Sequence, residues 1–285
     1  MSDRPVEITD QGGWWRARSR PHPALRPFLP SYVGYWERDV RPSRMRTLPT
    51  RTAVVILNLG PPLFLEVPDP QVRGRVYGSF VAGMHDGHGG YVHPGGQRGI
   101  QLDLTPLGAY TLFGVPMARV TNTAVELPDL LGPGAARLVE RLGAAAGWAD
   151  RFDLLDGFLL GRLDAGPAPD PEVARAWDLL ARSRGRAPVA RLADDVGWSR
   201  KHLTHRFREQ AGLPPKVMGR VLRFQSAVEM MRTGDAGLAD IAFACGYYDQ
   251  AHLNREVRAL AGCSPTDLLA GQFEPQLTTT VPEAL

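Results

Sequence analysis

A chain of 285 residues is long enough for two domains, and 44% hydrophobic with 22% charged side chains is the balance of a globular protein, not of a disordered or fibrous one. No apolar run approaches the ~18 residues of a membrane span, and the early residues include Asp3, Glu7 and Asp10 with no apolar core of a secretory signal. Two cysteines, Cys245 and Cys263, make neither a disulfide framework nor a four-ligand zinc site, so a reduced, cytoplasmic protein away from membranes is expected.

In chain order, Trp14-Trp15 is expected to anchor an edge strand, an arm closing over a ligand being the alternative, and residues 24–36 read as a short helix or an extended segment. Arg51–Leu59 is a β-branched run closed by Gly60-Pro-Pro, and further strand signals follow at Leu63–Val67, Val76–Met84 and Gly99–Leu104 between glycine-rich turns. Short strands with this punctuation predict a β-sandwich or barrel. After Val125 the period changes. Gly134–Ala146 sets Leu138 and Leu142 four apart, and Trp148–Leu163 sets Trp148, Phe152, Leu155, Leu159 and Leu163 at helical spacing. The second of these helices is expected to face the core, a dimer seam being the sharper alternative. Ala165–Pro171, with three prolines and a glycine, is a linker. The chain is therefore α+β: a β-rich domain over 1–165 ending in a helical pair, a linker at 166–170, an all-α domain over 171–270, and a disordered tail at 271–285.

The all-α part repeats itself. Leu192–Trp198 answers Ile241–Tyr247 at an offset of 49, whereas Leu203, Phe207, Gly212 and Pro215 answer Leu253, Val257, Gly262 and Pro265 at 50, so one residue has been added in the second turn. Each copy reads helix, glycine turn, helix, with Ser199 and Asp249 where the second helix needs an N-cap. Pro215–Thr233 between the copies reads as one helix of roughly 28 Å, close to the ~34 Å between successive major-groove entries on one face of DNA. Gly219 inside it marks either close packing or a glycine that is merely tolerated. Arg182–Arg223 holds eleven basic and three acidic side chains, whereas residues 224–285 hold three basic and eight acidic ones. On charge alone a basic, helical stretch is equally a polyanion surface or a solvated charged face. Opposite the apolar stripe of Leu203 and Phe207 lie Lys201, His205 and Arg208. In the second copy Ala251, Arg255 and Arg258 lie outward beside Gln250 and Asn254. Arginine, asparagine and glutamine have bidentate base partners, and alanine can meet a thymine methyl.

These residues resemble the DNA-binding domain of the AraC/XylS family of bacterial transcription regulators. Gly197–Leu203, Phe207, Gly212-Leu-Pro-Pro215, Arg223–Ala227, Ile241–Tyr247, Asp249–Arg255 and Gly262–Pro265 carry the resemblance over about 100 residues. It implies two helix-turn-helix units in adjacent major grooves of a promoter. Ser199, Arg200, Lys201, Thr204, His205 and Arg208 fall on the DNA-facing positions of the first, and Gln250, Ala251, Asn254 and Arg255 on those of the second. Val257 and Leu253 stand where aromatic residues are usual, and Leu269 where arginine is frequent, which predicts a second unit that packs or binds less firmly. Residues 55–60, 79–85, 99–108 and 127–132 resemble the effector or oligomerisation domains of actinobacterial regulators, implying a cupin-like domain that senses a small molecule or forms a homodimer. An activator working with RNA polymerase is the corresponding expectation.

The competing reading is an enzyme or metal sensor. His85, Asp86, His88 and His93 fall within nine residues, and a cupin-type site would add a carboxylate such as Asp103. Gly87, Gly89 and Gly90 favour a solvated loop instead. No phosphate-binding glycine loop or catalytic nucleophile is apparent, so no catalytic residue, metal or cofactor is expected. Trp36, His85 and His93 are the candidate effector contacts.

Overall fold

The computed structural model describes residues 2–10, 13–38, 41–66 and 74–270, and the tail expected at 271–285 lies outside them. The β-strands are β1 (Glu7–Asp10), β2 (Trp14–Ser19), β3 (Tyr32–Glu37), β4 (Ser43–Thr47), β5 (Ala53–Asn58), β6 (Leu63–Glu66), β7 (Arg75–Tyr77), β8 (Phe80–Ala82), β9 (Gly89–His93), β10 (Arg98–Leu104) and β11 (Ala124–Glu126). They form two antiparallel sheets, one in the order β1-β2-β3-β10-β5-β8-β11 and one in the order β4-β9-β6-β7. The expected single strand over Val76–Met84 is two. Tyr77 pairs with Leu63 in the small sheet and Phe80 with Ile56 in the large one, so the chain changes sheets at Gly78-Ser79. The tryptophan pair lies one strand inside the edge, because β1 covers β2.

Alternation along the central strands sorts side chains to two cores. Val55, Leu57, Ile100, Leu102 and Leu104 face helices, while Ile56 and Phe80 meet Leu63, Leu65 and Tyr77 of the small sheet. On the helical side lie α1 (Pro106–Phe113), α2 (Leu127–Leu131), α3 (Pro133–Ala144) and α4 (Trp148–Ala165). α4 buries Phe152, Leu155 and Leu159, as the period required. Its Asp156 accepts a 2.7 Å hydrogen bond from the Tyr32 hydroxyl, and Tyr32 stacks on Phe152. Gly34 makes room for Trp148, whose ring would lie 2.2 Å from a Cβ there.

The remaining helices are α5 (Pro171–Arg182), α6 (Val189–Val196), α7 (Arg200–Ala211), α8 (Pro215–Thr233), α9 (Leu238–Ala244), α10 (Gln250–Ala261) and α11 (Pro265–Leu269). The close approach suggested at Gly219 is present: a Cβ at Gly185 would lie 2.2 Å from the Gly219 carbonyl oxygen, so α8 and the turn after α5 touch through backbone. One apolar core runs from the large sheet through α1, α3 and α4 into α5, α6, α7 and the first half of α8. The second half of α8 belongs with α9, α10 and α11 to a separate core around Phe224, Ile241, Leu253 and Val257.

Candidate nucleic-acid interface

Each copy of the repeat builds its turn in the same way. Gly197 and Gly246 have φ of +70° and +75°, the left-handed region where a side chain would be strained. The next residue's N–H donates back to a helix carbonyl, Trp198 to Ala193 and Tyr247 to Ala242. Trp198 and Tyr247 then set their rings edge-on against His202 and His252, at 4.5 and 5.3 Å. Ser199 Oγ accepts from the His202 N–H at 3.2 Å and Asp249 Oδ1 from the His252 N–H at 2.6 Å, so both expected caps are made. α7 and α10 therefore begin at fixed points with their first turns exposed.

The outward faces carry the expected side chains. Ser199, Arg200, Lys201, His205 and Arg208 are exposed, and Thr204 is half-buried with its hydroxyl donating to the Arg200 carbonyl. On the second unit Gln250, Ala251 and Arg255 are exposed, while Asn254 is half-buried with its Oδ1 lacking a partner. Leu203, Phe207, Leu253 and Val257 are fully buried, so the aliphatic replacements in the second copy still fill a core.

Part of the basic stretch is spent inside the fold. Arg206 forks onto Asp170 at 2.8 and 2.9 Å and reaches Glu209 at 2.7 Å. Its hydrogen bonds hold the Asp170 carboxyl below the usual carboxylate range. Arg220 grips Glu256 at 2.7 and 3.2 Å, joining α8 to α10, and Arg223 donates to the Gly185 carbonyl and lies over Tyr247. The exposed charge of this stretch is thus smaller than the sequence sum, and on α7 it is carried by Arg200, Lys201 and Arg208.

Sequence reasoning missed Tyr248 and Phe243. Tyr248 is the residue added in the second turn; it is 93% exposed and immediately precedes the Asp249 cap, at the end of α10 that a groove would receive. The half-step in the repeat was its signal. Phe243, 87% exposed on α9, had none.

The β-domain touches both units at the far ends of these helices. α7 packs on α1 and on the turn Met117–Arg119, and a Cβ at Gly212 would meet Thr121 and Met84. Arg46 donates to the Ala261 carbonyl at 3.2 Å, Leu48 packs into the second core, and the His88 ring lies against Gly262. Between the two sheets lies a cavity of about 120 Å³ whose lining includes Leu48, His85 and His93. His93 is buried on strand β9 and His85 is mostly so, which corrects the expectation of a solvated loop for these two, while His88 is exposed; Gly89 and Gly90 serve a close strand pairing against Thr47 and Arg46. Trp36 does not line the cavity. It is sandwiched between Trp15 and Trp148 on the helical side of the large sheet. Among the described residues no cluster of three or more His, Cys, Asp or Glu could hold a metal ion, and Asp103 accepts instead from Gln101.

Two capped helices, each at the end of a helix-glycine-helix turn and joined by α8, define a double helix-turn-helix DNA-binding domain. The helix-turn-helix domain family matches residues 192–271, and this C-terminal region is of the AraC type. A Streptomyces lividans protein described as an AraC-like transcription regulator is 35% identical over 99 residues, 34% of this chain and 33% of that protein. The HTH-type transcriptional activator RhaS of Escherichia coli is 31% identical over 81 residues, 28% of this chain and 29% of RhaS. The chain thus spans about a third of the length of these relatives. Among solved structures, wild-type ToxT of Vibrio cholerae bound to an unsaturated fatty acid aligns with 87% of this chain and 97% of its own, at 11% identity and a TM-score of 0.47. No helix among the described residues is long and apolar enough to cross a membrane.

Proposed function

We propose that the protein is a sequence-specific, non-enzymatic transcription regulator of the cytoplasm. It reads two adjacent major grooves with α7 and α10, under the control of a small molecule held by the β-domain. The observation that carries the DNA reading is the pair of capped, exposed first turns presenting Arg200, Lys201, Thr204 and His205 on one unit and Gln250, Ala251, Asn254 and Arg255 on the other. Effector control is supported by shared parts. Leu48 lines the cavity and packs into the core of the second unit, and the Met84–His88 segment contributes to the cavity wall and touches Gly212 and Gly262. A ligand that shifts these segments changes how firmly the two units are held relative to each other. Homodimerisation through residues 1–165 and contact with RNA polymerase belong to the same reading. The test is genomic mapping of bound sites followed by salt titration on an operator and a scrambled duplex. Sequence-selective binding that weakens steeply with salt is expected, and binding with neither property overturns the proposal.

A further inference from the structure

The cavity between the sheets has a chemistry that narrows what it can hold. Most of its wall is apolar, with Leu48, Val54, Ile56, Leu63, Leu65 and Phe80 around it. At one place in that wall sits Glu37, which accepts from His93 Nε2 at 2.8 Å and from the Gln97 N–H at 3.2 Å. The Gly95 N–H donates to His93 Nδ1 at 3.2 Å, which assigns the imidazole proton to Nε2 and directs it at Glu37. Gln97, only 2% exposed, gives its Nε2–H to the Pro61 carbonyl at 2.9 Å. That bond fixes the amide's orientation and leaves Gln97 Oε1 buried without a partner, an acceptor waiting for a donor. His85 Nδ1, in the same lining, is also buried and unpartnered. Leaving such an atom unpaired costs about 1–3 kcal/mol; both belong to residues that line the cavity, so an occupant that hydrogen-bonds to them would recover that cost.

Charge excludes most candidates. No lysine or arginine lines the cavity among the described residues. Burial pushes the His85 imidazolium down to about 4, so that wall carries no positive charge at neutral pH. A carboxylate or phosphate would lose its water with no cation to receive it, and an ammonium would find Glu37 enclosed with both oxygens already accepting.

Resting on the reading of the β-domain as the effector-binding part, we infer that this cavity binds an uncharged, mainly apolar small molecule bearing a hydroxyl donor, an alcohol or phenol, and rejects anions. The test uses the full chain without DNA and three probes on one ring system: 2-naphthol, 2-naphthoate and 2-naphthylmethylammonium. Equilibrium dialysis at pH 7 is expected to show the naphthol bound about tenfold or more tighter than either ion, the cost of desolvating a charge. Ala82→Phe, which fills the cavity from the large sheet, should abolish that binding while circular dichroism and the melting profile stay native. Should that variant fail to fold, Leu65→Phe fills it from the small sheet. Naphthoate or the ammonium binding as well as naphthol, no binding by any of the three, or retained binding in a folded, cavity-filled variant overturns the inference. A protein that binds its operator but none of the probes loses only this inference; one that binds naphthol but no DNA loses only the regulatory reading.

Discussion

The two helix-turn-helix units share a turn, a cap and a buried stripe, yet they are held in opposite ways. The first is continuous with the β-domain: Phe207 and Leu203 belong to the core that begins at Ala17, and α7 rests on α1. The second has its own small core and is tied on by few contacts, chiefly Arg220 to Glu256 and Arg46 to the Ala261 carbonyl. The same local motif can therefore serve as a fixed reader or an adjustable one, and what decides is the surface its helices find beyond the motif. The charge follows the same division, with the basic side chains around the anchored unit and the acidic ones around the other.

The sharpest way to break this comparison is to open each core. Phe207→Ala should cost about 3–5 kcal/mol and lower the melting of the β-domain together with the first unit. Val257→Ala should cost about 2 kcal/mol and loosen residues 224–270 alone. Hydrogen exchange on both variants would show it, and equal loss of protection across the chain would mean one core after all.

The next effect comes from His85. Its folded value of about 4 lies below the ordinary imidazole value because burial opposes the charge, partly offset by Asp86. Stability from this group is thus full above about pH 6.5 and is lost as pH falls toward 4, by roughly 3 kcal/mol. Thermal melts between pH 7 and 4 should fall accordingly, and His85→Phe should flatten that window. Because His85 borders the anchored unit, the loss should appear first where Met84 meets Gly212.

Smaller effects separate the readers on DNA. Arg255→Ala should cost about 1–3 kcal/mol at one operator position if its guanidinium pairs with guanine. Lys201→Ala should weaken all duplexes alike and reduce the salt slope by about 1. If Arg255→Ala weakens a scrambled duplex as much as Lys201→Ala does, the division of labour is absent. The caps come last: Ser199→Ala and Asp249→Ala should each cost about 1 kcal/mol. The second should matter more for operator affinity, since α10 has less around it to keep its first turn wound.

The helical half was legible because its signals are local. Caps, turn glycines and the period of Leu203, Phe207, Leu253 and Val257 lie within a few residues of what they determine. The β-domain was legible only in part. β5 announced itself by an unbroken apolar run and β10 by the alternation of Ile100, Leu102 and Leu104, but β9 is glycine-rich and owes its place to β4 and β6. The Glu37–His93 pair joins residues 56 apart, a distance no short-range pattern reports. The ion pairs that withdraw Arg206 and Arg220 from the basic face were hidden for the same reason, so the sequence sum of charge overstated what DNA can meet.

The continuous core has a consequence for how regulators of this build can be recombined. A fragment starting at Asp170 uncovers the face of α7 that Tyr110, Met117 and Thr121 otherwise screen, and it should fold with a lower melting temperature than the whole chain. A different sensor fused at residues 166–170 would inherit that bare face without a matching counterpart. The interchangeable module is then the second unit, and a chimera joined within α8 near Arg223, where one core gives way to the next, should tolerate exchange better than one joined at the proline-rich connector.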